Sequence, residues 1–212
     1  VTELASSESF QAAADHLRAN DPILGEVINN APLPTFVPHK NYYQELVESI
    51  ISQQLSVKAA ATILKRFKEL FTEDFPSPED ILATDIETLR SVGLSRQKAS
   101  YIKDLANRVL EGSIQFGHLD SLSNQEIIDE LVQIKGVGVW TVHMFLLFCM
   151  GRLDVLPTGD LGIKNGIYSL YQLPEKPTPE DMEMIARNNN WHPYESVASW
   201  YVWHSLDNKP AL

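Results

Sequence analysis

The stretch LVQIKGVGVWTVHMFLLFCMGRLDVLPTGDLGIKNGI, residues 131–167, decides how this chain is read. It holds a Gly-x-Gly turn at Gly136 and Gly138, then an apolar run, then one carboxylate, Asp160, in a Pro/Gly turn. Leu131 and Ile134 sit at helical spacing before the turn, and a second helix is expected from about Val139. Glycines take backbone angles closed to other residues and permit a partner to come close. The first amides of the second helix have no intrahelical acceptor and lie at the positive end of its dipole. That makes an anion site suited to phosphate oxygens, one that needs no lysine. An ordinary helix corner would use the same glycines for geometry alone.

The bulk charge points the other way. The chain has 212 residues and a formal charge of −11, which argues against nonspecific polyanion binding by the whole surface but leaves room for a local contact face. Basic residues gather at Lys58, Lys65, Arg66 and Lys68, and again at Arg90, Arg96, Lys98 and Lys103. Each group reads as a contact face or as a solvated helix face. The single cysteine, Cys149, excludes an internal disulfide and an iron–sulfur cluster and fits a reducing compartment. VTELASSESF at the start lacks a signal peptide's basic and apolar regions. The longest apolar run, MFLLFCM at 144–150, is too short to cross a bilayer. The expectation is a soluble intracellular protein with no membrane association.

Working outward, the apolar spacing is helical almost everywhere, so the fold class is read as all-α. Phe10, Ala13, Ala14 and Leu17 form one stripe; Tyr43, Leu46, Val47, Ile50 and Ile51 form another. Segments 57–71, 78–83, 85–91, 95–111, 123–133 and 138–149 follow the same pattern. SPED at 77–80 and SNQE at 123–126 have the form of capping boxes. Proline-bearing loops at 31–40 and 173–181 break the chain without resembling flexible linkers. Two helical lobes are expected.

Asp160 stands where the helix after its turn would start. It reads as an N-cap worth about 1 kcal/mol. Amide donors and the dipole there favour the charged form, so it reads equally as a carboxylate able to stabilise a developing cation or to take a proton from water.

IKGVGVWT followed by LPTGDLGIK resembles the helix-hairpin-helix DNA glycosylase superfamily, within it the 3-methyladenine DNA glycosylase II, alkylation-repair type. The resemblance extends to ESIISQQLSVKAAATI at 48–63 and WHPYESVASWYVWHSL at 191–206. It implies a two-lobed helical fold with an active-site cleft between lobes and no N-terminal β domain. The lobes are expected at 42–152, and at 1–41 plus 153–212. It implies that Asp160 is catalytic, and that Gln53, Gln54, Leu55, Lys135, Gly136, Val137, Gly138 and Thr141 contact DNA. Gln54, with Leu55 beside it, matches the wedge that fills the gap left by a flipped base. Trp140, Tyr194, Met144, His143 and Leu161 are expected in the base pocket, with Trp191 either there or in the core. Main-chain carbonyls of Val132, Ile134 and Val137 are expected to hold a Na+ or K+ ion; no other cofactor is required.

Trp140 stands where strand-cutting relatives carry a nucleophilic lysine, so the resemblance implies a monofunctional enzyme that uses water. The expected substrate is double-stranded DNA containing alkylated purines, 3-methyladenine first and 7-methylguanine second, flipped out of the stack. Met144 and Leu161 replace tyrosines of a well-known bacterial relative, and Glu195 replaces an arginine found in many. These departures bear on substrate range. Two other readings stay open: a lesion-recognition module without turnover, and a glycosylase–lyase using another amine such as Lys164. A monomer is expected, in the cytoplasm of a bacterium or the nucleus of a eukaryote.

Overall fold

Polar side chains at helix starts set the boundaries of this fold. In the computed structural model, which describes residues 5–206, every regular element among the described residues is helical. The helices are α1 (Ser7–Asn20), α2 (Pro22–Asn29), α3 (Tyr42–Ser52), α4 (Val57–Lys68), α5 (Pro78–Ala83), α6 (Ile86–Ser91) and α7 (Arg96–Leu110). A 3-10 turn, Phe116–Ser121, leads to α8 (Asn124–Leu131) and α9 (Val139–Met144), which runs on as a π-helical turn, Phe145–Cys149. Then follow α10 (Leu161–Leu170), α11 (Pro179–Asn188) and α12 (Glu195–His204). Both expected capping boxes form: the Ser77 hydroxyl accepts from the Asp80 amide at 3.1 Å while Asp80 accepts from the Ser77 amide at 2.9 Å. Ser123 and Glu126 do the same, and Thr178 with Asp181 makes a further box inside the 173–181 proline stretch.

The chain divides into two compact units, Val1–Lys40 with His143–Leu212, and Asn41–Val142. The expected boundary at 152/153 therefore falls at 142/143, inside α9. The reason is packing: Leu147 and Leu153 are buried in the core of the first unit, and Met144 and Phe148 pack against it.

In that first unit α12 is covered on nearly every side, with residues from Ser196 to Ser199 and Tyr201 to Trp203 buried. Gly166 lets α10 press against it, since a Cβ there would lie 2.4 Å from Val202 Cγ1. The buried carboxylate of Asp21 ties the chain's two ends together. It accepts from the amides of Ile23 and Leu24 at 3.0 Å, from Trp191 Nε1 at 2.7 Å and from the Tyr171 hydroxyl. Burial first, and then Asp21, push the Tyr171 hydroxyl's pKa up. Trp191, fully buried in this network, belongs to the core. Burying a charge this deeply is tolerable only because donors surround it.

In the second unit α7 is the central strut. Its buried face, Ala99, Ile102, Leu105 and Ala106, packs in a unit where α7 meets α3, α5 and α6.

Candidate functional site

The hairpin is built as its glycines require, but the two do different work. Gly136 has φ +83°, and a Cβ there would lie 2.0 Å from Tyr101 Cδ2. Only glycine meets both conditions. Gly138 has no positive φ, and a Cβ would meet nothing within 4 Å. The room beside it is open. The Val142 amide bonds to the Gly138 carbonyl at 3.1 Å, so the amides of Val139 to Thr141 precede the first intrahelical bond of α9. This is the end at which an anion is expected from the sequence.

The side chains around this end are apolar or already engaged. Val139 and Trp140 are half-exposed, whereas Val137 and Thr141 are buried. The Thr141 side chain is buried, so the contact with DNA expected of this residue would be made through its backbone. Lys135 is exposed but not a free cation: its ammonium pairs with Asp104 at 3.3 Å, and its amide donates to Asp104 Oδ2 at 3.0 Å. Burial pushes the Asp104 carboxyl up, but the bonds from Lys135 and Arg108 outweigh it and hold its pKa below the ordinary value.

Most of the basic groups are likewise consumed. Arg90 and Arg96 pair with Glu87, Lys103 caps the Leu82 carbonyl, and Lys68 pairs with Glu48.

Of the carbonyls expected to hold a monovalent cation, that of Ile134 accepts the Val137 amide at 3.0 Å. A carbonyl oxygen has two lone pairs, so one remains. Val132 is the C-cap of α8, where carbonyls outlast their intrahelical donors. Oxygen donors of this kind are what a hard cation such as Na+ or K+ would take.

The SQQLS turn lies between α3 and α4. Gln54 is in the left-handed region at φ +58°, and Gln54 and Leu55 are both exposed at its tip. Gln53 is turned inward: its Nε2 donates to the Gly136 carbonyl at 2.8 Å. The structure thus joins two of the expected DNA-contacting segments through one side chain.

Asp160 is the N-cap of α10, accepting from the Ile163 amide at 2.8 Å through Oδ1. The same oxygen accepts from Trp203 Nε1 at 2.8 Å. Trp203 is buried and stacked on Phe148 at 5.9 Å between ring centroids. Gly162 leaves space for this arrangement, since a Cβ there would lie 2.9 Å from both Asp160 Oδ1 and Trp203 Cδ1. Sequence reading missed Trp203 and Gly162. The only local signal was one of two indoles, Trp200 and Trp203, in the C-terminal helix, which read as core.

The other pocket candidates belong to the same unit as Asp160, except Trp140. Leu161 is exposed, Met144 and Tyr194 are half-buried against the unit's core, and the Tyr194 ring meets His16 edge-on at 5.2 Å. His143 is half-buried, and its Nδ1 is covered with no hydrogen-bond partner. Burial lowers its pKa. Glu195 accepts from His192 Nδ1 at 3.0 Å with one carboxylate oxygen, while the other is buried without a partner.

Residues 47–191 match the family model described as HhH-GPD superfamily base excision DNA repair protein. The chain is 37% identical to DNA-3-methyladenine glycosylase 1 of Schizosaccharomyces pombe over 205 residues, covering 96% of this chain and 88% of that protein. Among solved structures, the S. pombe 3-methyladenine DNA glycosylase in complex with abasic DNA superposes with a TM-score of 0.73 at 35% identity, covering 91% of this chain and 95% of that one. A DNA-3-methyladenine glycosidase from Bacillus halodurans superposes with a TM-score of 0.82 at 35% identity, covering 91% and 88%.

Proposed function

This chain belongs to the HhH-GPD superfamily of base excision DNA repair proteins, and from that premise we propose that it is a 3-methyladenine-type DNA glycosylase in which Asp160 is the catalytic carboxylate. It hydrolyses the N-glycosidic bond of alkylated purines flipped out of duplex DNA. The observation that carries the proposal is the fixing of Asp160 Oδ1 by two donors, the Ile163 amide and the Trp203 indole. A carboxylate held this way needs no reorganisation when charge appears beside it.

An alkylated purine already carries positive charge. As the bond to C1′ breaks, the electron pair leaves with the base and neutralises it. The sugar becomes cationic, Asp160 offsets that charge, and water adds at C1′ while its proton passes to the carboxylate. No acid is needed for the leaving group, so one carboxylate suffices. The amide end of α9 holds the phosphate backbone and the exposed indole of Trp140 offers a stacking face to an electron-poor base. No organic cofactor is required, and a Na+ or K+ ion at the carbonyls of Val132, Ile134 and Val137 would brace the hairpin. The range extends from 3-methyladenine to 7-methylguanine, and the enzyme acts as a monomer inside the cell. No helix among the described residues is long and apolar enough to cross a membrane.

The test is release of free purines from randomly methylated DNA, resolved by chromatography, with Asp160→Asn in parallel. Asparagine keeps an oxygen that can accept both bonds, so the fold around α10 is expected to survive. Excision is expected to fall by about 10²–10³-fold, the scale of losing one preorganised electrostatic group, with binding to an abasic duplex retained. Full activity in the variant would remove Asp160 from the mechanism. Borohydride trapping of a protein–DNA adduct would instead identify a lyase, with Lys164, one turn from Asp160, as its first suspect.

A further inference from the structure

Helix α7 touches both segments expected to meet DNA, at three points on successive turns. Near its start, Lys98 Nζ donates to the carbonyls of Ile51 at 2.8 Å and Gln53 at 2.5 Å. These are orphan carbonyls at the end of α3, where a cation also complements the helix dipole. One turn on, the Tyr101 ring fills the space that Gly136 leaves. Another turn on, Asp104 holds the Lys135 amide and ammonium. Gln53 closes the circuit by donating to the Gly136 carbonyl.

The 53–55 tip's own backbone is held by two long bonds, the Gln53 amide to the Ser49 carbonyl and the Leu55 amide to the Ser52 carbonyl, both at 3.2 Å. Gln54 and Leu55 are exposed, and a cavity of about 220 Å³ is lined by the loop, Ile63, Leu94 and Lys98. Polar contacts from α7 and from the hairpin reach the tip's carbonyls and the Gln53 side chain across this cavity. The Lys98 ammonium is partly desolvated there, which lowers its pKa.

We propose that Lys98 is a positioning residue: through the Ile51 and Gln53 carbonyls it fixes the Gln54–Leu55 tip at a set distance from the phosphate-gripping hairpin, so that tip insertion and phosphate contact occur in register. This rests on the reading of the tip as the inserting segment. Nothing in it requires Lys98 to touch DNA.

The experiment uses a duplex with a stable abasic analogue beside 2-aminopurine, whose fluorescence rises when a neighbouring stack is opened. It reports insertion without base release, so it stays readable even if the excision reading fails. Loss of the two bonds in Lys98→Met is expected to lower the insertion signal about ten-fold at matched occupancy, while affinity for undamaged duplex stays within about two-fold. In a Leu55→Ala background Lys98→Met is expected to add nothing, because both act on one tip. A purely structural lysine would instead add its effect to Leu55→Ala, which would overturn the proposal. Lys98→Gln, whose neutral side chain is one atom too short to reach both carbonyls, is the second variant should methionine unfold the protein, and an insertion signal equal to wild type in it would also overturn the proposal.

Discussion

Replacing Trp203 by phenylalanine tests whether Asp160 works because it is held. The substitution removes the Nε1 donor 2.8 Å from Asp160 Oδ1 but keeps an aromatic ring against Phe148. A hydrogen bond to a charged group is worth roughly 1.5–3 kcal/mol. The Ile163 amide still holds the same oxygen at 2.8 Å, so the lower end of that range applies. At about 1.4 kcal/mol per decade, single-turnover excision is expected to fall about ten-fold. The smaller ring in a buried site also costs about 1–3 kcal/mol of stability, so rates must be measured well below the melting transition. The assay is single-turnover release of 3-methyladenine from a defined duplex, alongside affinity for an abasic duplex. The rate is expected to drop with affinity unchanged. A rate within two-fold of wild type in a folded variant would refute the claim that the indole orients the carboxylate. Gly162→Ala is the companion experiment, since its Cβ would intrude on the same pair from the other side.

Two further predictions concern stability. Asp21→Ala orphans a buried indole, a tyrosine hydroxyl and two amides at once, and is expected to cost roughly 3–5 kcal/mol in denaturant unfolding; a loss under about 1 kcal/mol would mean that these donors find other partners. His143 has its pKa lowered by burial from an ordinary 6.5, so both states are neutral well above that pH and it adds no slope. As pH falls below 6.5 the unfolded chain takes a proton that the folded one resists, and stability declines until the folded pKa is reached. His143→Gln is expected to flatten that part of the melting-temperature profile, and an unchanged profile would place the slope elsewhere.

The differences between sequence and structure follow chain separation. Ser77 with Asp80, Ser123 with Glu126 and Asp160 with Ile163 are partners three residues apart, and all were visible as patterns. The Gly-x-Gly turn was legible too, but not the division of labour within it, because Tyr101, which makes Gly136 indispensable, is far away in the chain. Lys135 and Lys98 read as cations on a surface, yet distant groups claim both of them: Asp104 for the first, the end carbonyls of α3 for the second. Trp191 and Trp203 looked alike as indoles near the C-terminus. One became the buried partner of Asp21, the other the partner of Asp160, and α12 is covered on so many sides that no periodicity could separate such roles.

What the sequence determined by itself is therefore the all-helical class, the helix starts, the Gly-x-Gly hairpin and the place of Asp160 at the start of α10, since each depends on backbone and side-chain atoms within one helical turn. Only the tertiary structure decided which donors hold Asp160, which lysines are spoken for, and where one compact unit gives way to the next inside α9. Those outcomes depend on burial and on directional bonds between residues tens of positions apart, and a linear pattern carries no record of which of several chemically suitable partners folding brings within 3 Å.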